Sequence, residues 1–321
     1  MISLFKNNNP LALLLLACLA AMPYIYAPSL AVIQYGNPGN EGLIFLFREF
    51  TGGFFEKKSI WGAILSTIIV MAEAMALNKI VSDQKLFERP GFVPALSFIL
   101  LITLIPHQYQ SYMLLINGGL LISLKSIISV YKKDKANNSI LVTSFFTGII
   151  AGFGASNLLF FLWLTISLLI MRPASLREMM LAITGFVLPY YFLISGLYLT
   201  GQLDINNIIQ MPNFEFNFPL RTSPIWARSA TFLVLPLLGL ILANKSISKM
   251  LIQGRKTYLI IFILYLITLV ICLLKSEQLP FNLYILVIPV SVLICPLFLS
   301  FKRNVFPNIL LLVMLLLCFL R

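Results

Sequence analysis

Residues 258–274 read YLIIFILYLITLVICLL, a run without a single charge, bracketed by Arg255 and Lys256 on one side and Lys275 on the other. A lipid bilayer accepts such a run as a helix, and the flanking cations sit comfortably at the headgroups. Residues 281–301, FNLYILVIPVSVLICPLFLSF, repeat the pattern before Lys302 and Arg303. Working outward, the chain resolves into eleven apolar segments: Leu11–Pro28, Ile60–Leu77, Phe92–Ile105, Tyr112–Tyr131, Ile140–Gly154, Leu158–Met171, Met179–Leu199, Ile225–Ala243, Tyr258–Leu274, Phe281–Phe301 and Val305–Leu320. Several fall short of the roughly 20 residues that a simple span needs. Counting the short ones as hairpins lowers the number of spans to nine. The predicted fold is all-α: one polytopic transmembrane helical bundle over residues 1–321, with a soft division at the stretch Thr200–Pro224.

Composition agrees. Of 321 residues 60% are hydrophobic and 11% charged, and the mean hydropathy is +0.95. A soluble domain carries about 25% charged residues. The formal net charge of +12 comes from Lys and Arg in short connections between apolar runs, which is a topology signal and not a nucleic-acid surface. Cys18, Cys272, Cys295 and Cys318 all lie in apolar runs and read as small buried hydrophobes. His107 is the one histidine, so a histidine-rich metal centre is excluded. No cofactor is expected, and a carboxylate-bound divalent cation stays open. Residues 1–27 resemble a secretory signal, with Lys6 ahead of an apolar run; the run continues to Tyr26, and an uncleaved first helix is the expectation.

The cations orient the bundle. With a cytoplasmic N-terminus and eleven spans, the inside holds Lys6, Lys79, Lys85, Arg89, Lys125, Lys132, Lys133, Lys135, Arg172, Arg177, Lys245, Lys249, Arg255, Lys256, Lys302 and Arg303. The outside holds only Arg48, Lys57, Lys58, Arg221, Arg228, Lys275 and Arg321. This bias predicts N-in and C-out. Both long connections, Ser29–Ser59 and Thr200–Pro224, then face outward. Connections longer than about 12–15 residues tend to be functional, so a working surface is expected there.

Within the first outer stretch, Asn40-Glu41 followed by Arg48-Glu49 resembles the first outer loop of GT-C type membrane glycosyltransferases, where an acidic pair opens the loop and an Arg-Glu pair follows. That resemblance implies Glu41 and Glu49 as catalytic candidates. Asn40 stands where the family has its first acid, so Glu41 would have to act as the base that takes a proton from the acceptor while a polyprenyl phosphate leaves. Arg48, Asp204, Glu215, Arg221 and Arg228 are the outer binding candidates, because a guanidinium binds phosphate oxygens in pairs. The other reading of Glu41 is a solvated loop acid beside an interfacial helix.

Glu73, in Met71-Ala72-Glu73-Ala74-Met75-Ala76, is an acid inside an apolar run. It is either a proton or ion relay or one end of an interhelical hydrogen bond, and both readings require a polar partner or a water-lined setting. Lys125 reads as a snorkelling cation. His107 reads as a turn residue, and Arg172 and Arg177 as contacts for anionic lipid.

Between about Ala72 and Leu203 the chain resembles a family of uncharacterised multi-pass proteins of Bacteroidota, a domain of unknown function. The residues that carry this are Phe92-Val93-Pro94-Ala95-Leu96, Leu114-Leu115-Ile116-Asn117-Gly118-Gly119-Leu120-Leu121, Ser144–Ala151, and Leu176-Arg177-Glu178 leading to Thr184–Phe192. The resemblance implies a Gram-negative inner membrane and brings no known activity. The expected function is a non-enzymatic scaffold or partner subunit of the cell envelope. The alternatives are a GT-C-like enzyme acting on polyprenyl-linked glycans and a transporter. The expected partners are the bilayer, a polyprenyl-linked lipid or another membrane protein; nucleic acid is not expected.

Overall fold

The computed structural model describes residues 2–6, 9–26, 60–88, 90–105, 111–133, 136–153, 155–173, 175–199, 223–247, 250–274, 279–301 and 305–319. Among them the chain is helical, without a strand. The helices are α1 (Ile2–Lys6), α2 (Pro10–Tyr26), α3 (Ile60–Asp83), α4 (Val93–Leu104), α5 (Ser111–Ile128), α6 (Asn137–Ala151), α7 (Phe160–Met171), α8 (Leu176–Leu199), α9 (Ser223–Ile247), α10 (Ile252–Leu274), α11 (Leu279–Leu299) and α12 (Val305–Phe319). A 3₁₀ turn, Ala155–Leu159, leads into α7.

Each of the eleven apolar runs carries one of α2 to α12, and the differences lie at the ends. The run that stops at Leu77 belongs to a helix that continues to Asp83, because Asn78 and Lys79 end an apolar pattern without ending an α-helix. The turn comes at Lys85, whose φ of 49° is left-handed. Helix α8 starts ahead of Met179 because Ser175 and Glu178 cap it. The Ser175 N–H donates to Glu178 Oε2 at 3.2 Å, and the Glu178 N–H donates to Ser175 Oγ at 3.4 Å. Three stretches are long and apolar enough to cross a membrane: Ile64–Asp83, Leu176–Gly196 and Ile252–Leu274. The other helices contribute shorter apolar stretches of 10–17 residues, such as Ser229–Asn244 within α9 and Leu283–Leu299 within α11.

Helix α11 forms the centre. Every residue from Leu283 to Phe298 is buried, against α4, α5, α9 and α10. An apolar surface on all sides demands such a position. Helix α4 is nearly as enclosed, and Ser97 on it donates to the Ser291 carbonyl of α11 at 2.9 Å. Pro236 leaves the Phe232 carbonyl of α9 without its usual N–H partner, and the Tyr265 hydroxyl of α10 donates to that oxygen at 3.3 Å. Trp163 of α7 donates to the Ile260 carbonyl of α10 at 3.3 Å.

Helices α6 and α8 make the most extensive pairing, and glycine permits it. A methyl group on Gly185 would overlap Ser144 Oγ, and one on Gly148 would overlap the Phe186 carbonyl and lie 3.1 Å from Pro189 Cγ. Small residues facing each other let two backbones approach this closely.

Several connections meet at one end of the bundle. The Phe92 N–H donates to the Phe5 carbonyl at 2.8 Å, and the Ile2 N–H to Asn308 Oδ1 at 3.1 Å. Gly254 faces the Gln84 carbonyl, which would stand 3.3 Å from an added methyl. Arg172 Nη1 donates to the Lys133 carbonyl at 2.7 Å, and Lys256 Nζ to the Met171 carbonyl at 3.1 Å.

Gly185→Ala should therefore destabilise the bundle by about 1–3 kcal/mol, as overpacking a tight contact does. Ser144→Ala in the same chain should restore part of the loss, because it removes the overlapped oxygen. Thermal unfolding of the purified protein in detergent checks both; equal stability of Gly185→Ala and the parent would refute the close contact.

Candidate functional site

Buried residues on α3 recur as Ser66, Val70, Glu73, Ala74, Leu77, Ile80 and Val81, the spacing of one helical face. Glu73 thus lies on the stripe that α3 turns toward its neighbours, with 6% of its surface exposed. At about 1.5 Å per residue it stands roughly 20 Å from the start of α3 and roughly 15 Å from Asp83, near the middle of a helix long enough to span.

The carboxyl rests on α5. A methyl on Gly118 would come within 3.3 Å of Glu73 Oε1, so the bare backbone at Gly118 is what admits the carboxyl. The residue before it, Asn117, is fully buried. The Glu73 carboxyl thus meets the Gly118 backbone and no side-chain donor, and the Asn117 amide and Asn78 Oδ1 are buried without a partner, as are the hydroxyls of Ser167, Thr257 and Tyr258 elsewhere in the bundle. A buried polar group without a partner costs on the order of 1–3 kcal/mol, and a charge costs more. Glu73 is the acid among these groups, and it lies where α3 meets α5. Sequence reading singled out Glu73 but not Asn117, although an Asn followed by two glycines within an apolar run is a visible signal.

A second polar group lies at the end where the connections meet. Arg172 Nη2 pairs with Glu178 Oε1 at 3.2 Å while Nη1 holds the Lys133 carbonyl. Lys256 stands 5.2 Å from the centre of the Tyr131 ring, which Lys132 also approaches at 5.6 Å. Burial lowers the Lys6 ammonium from its ordinary pKa. Here Glu178 is fully engaged in capping and ion pairing, so this group ties connections together.

The outer candidates Glu41, Arg48, Glu49, Asp204, Glu215 and Arg221 lie outside the described residues, as does His107. Arg228 belongs to α9, but its side chain is likewise outside the description. Lys125 is exposed near the end of α5. Cys272 and Cys295 are buried as expected, whereas Cys18 is exposed on α2 and Cys318 is half-buried. The correction for Cys18 has a simple cause: an apolar run in a bundle has an outward face too. Among the described residues no group of three or more His, Cys, Asp or Glu gathers.

No family model, curated protein or solved structure matches this chain.

Asn117→Leu replaces two unpartnered polar atoms by an apolar group of similar size. Such exchanges are near neutral or stabilising. The thermal midpoint in detergent should stay level or rise; a clear fall would show that the amide holds a structural bond.

Proposed function

We propose that the chain is a multi-pass protein of the bacterial inner membrane, with a cytoplasmic N-terminus and about eleven membrane segments, and that it serves the cell envelope as a non-enzymatic scaffold or partner subunit. The meeting of connections at one end carries this reading. The segments joined there, around Phe5, Gln84, Lys133, Arg172, Lys256 and Asn308, are those that the cation bias assigns to the cytoplasm, and alternate connections of a multi-pass bundle must share one side. Ties of this kind hold the helices in fixed relation, which suits a scaffold better than a device whose halves rock against each other. Helix α8 adds a lasting outer surface. It packs chiefly on α6 and leaves Tyr191, Phe192 and Tyr198 exposed, a face for lipid or for a membrane partner. The resemblance to a Bacteroidota family supports a Gram-negative inner membrane.

Two measurements test this. In a cysteine-free background, Lys132→Cys should react with a membrane-impermeant maleimide only after the cells are opened, and Asn207→Cys in intact spheroplasts. The reverse pattern would overturn the orientation. For the scaffold role, Glu41→Gln should complement a deletion strain fully, because a solvated loop acid contributes little. Loss of complementation with normal protein levels would favour the GT-C-like transferase.

A further inference from the structure

We propose that the contact between α3 and α5 is an intramembrane site for an exchangeable proton, held by the Glu73 carboxyl against Gly118. This does not depend on the scaffold role. Glu73 is buried near the middle of a helix long enough to span, its oxygens meet the Gly118 backbone and no side-chain donor, and its neighbours along the buried stripe of α3 are Val70, Ala74 and Leu77. An ionised carboxyl there would be a bare charge, and intramembrane acids without a counter-charge are held in neutral form.

The surrounding elements supply no counter-charge. Helices α2, α4 and α5 pack against α3. Helix α4 has no ionisable side chain. Among the described side chains, α2 offers Cys18 and α5 offers Lys125, both exposed, and Lys125 lies seven residues, roughly 10 Å, along α5 from Gly118. On α3 itself Lys79 and Asp83 are exposed beyond the apolar run.

The donor set selects a proton over a metal ion. Magnesium and calcium take about six or more oxygens. Here the candidates are one carboxyl and the Asn117 amide oxygen. A proton needs one oxygen, and the Glu73 carboxyl supplies it. Asn78, with its own unpartnered oxygen, stands five residues further along α3, roughly 7.5 Å toward Lys79 and Asp83. In exchange the carboxyl O–H bond breaks, the electron pair stays on the carboxylate, and the proton passes to water; the return reverses each change.

Infrared spectroscopy of the full chain in phosphatidylethanolamine–phosphatidylglycerol vesicles tests the site. At neutral pH the parent protein should show a protonated-carboxyl C=O band that shifts down in D₂O within minutes and is missing from Glu73→Gln. Glu73→Asp, which keeps the acid one methylene shorter, should move the band, so the assignment stands even where Glu73→Gln does not fold. Gly118→Ala should move it too, by crowding the carboxyl. Three results would overturn the proposal: no protonated-carboxyl band sensitive to substitution at Glu73, a band that does not shift in D₂O after days, or a band converted to carboxylate when sodium chloride replaces choline chloride at constant pH. The first would mean an ionised Glu73, the second a sealed structural acid, and the third a sodium site.

Discussion

Hydrocarbon offers no hydrogen bonds, so the three stretches of this chain that are long and apolar enough to cross a membrane must satisfy their backbone from within. Each N–H and C=O left open in such surroundings costs several kcal/mol. Helices meet the demand segment by segment, and all described segments are helical. The proline positions show how strictly the demand applies. Pro236 cannot donate to Phe232, and the freed carbonyl is taken by Tyr265 from the next helix. The repair also fastens α9 to α10, so one backbone defect becomes a tertiary contact.

With the backbone closed, packing has to come from shape. Lipid tails are as apolar as leucine, so apolar burial alone does not pull helices together in a bilayer. Among the described helices, glycine gives close approach. Gly148 and Gly185 bring α6 onto α8, and Gly239 brings α9 onto the Leu293 carbonyl of α11. Short serine and tyrosine hydrogen bonds add direction, as at Ser97 with Ser291. Polar ties at the ends add to this, with Arg172 holding the start of α8 through Glu178 and joining the α7–α8 connection to the α5–α6 connection through Lys133.

The contact between α3 and α5 differs in kind from these, because it buries an acid. Pro236 has a hydroxyl from the next helix to take its freed carbonyl, whereas the Glu73 carboxyl meets the Gly118 backbone and no side-chain donor. Other buried hydroxyls, such as those of Ser167, Thr257 and Tyr258, also go without a partner, but a neutral hydroxyl costs far less to bury than a charge. Gly118 gives the carboxyl room, since an added methyl would stand 3.3 Å from Oε1.

The sequence alone determined the helices and the distribution of cations, because both are local properties. An uncharged run such as 258–274 has one stable backbone conformation in an apolar medium, and a lysine beside it needs no tertiary contact to find the headgroups. The presence of an acid in α3 was equally legible. Helix ends were less so: Asp83 closes α3 beyond its apolar run, and the capping pair Ser175–Glu178 opens α8 ahead of it, since hydrogen bonding and not hydropathy sets a terminus. Only the tertiary structure decided that Glu73 meets Gly118, that Tyr265 answers Pro236, and that Gly185 faces Ser144. These pairs are far apart in the chain, and no periodicity connects them. They follow from which helix faces fit together, and interchangeable apolar side chains do not encode that fit locally.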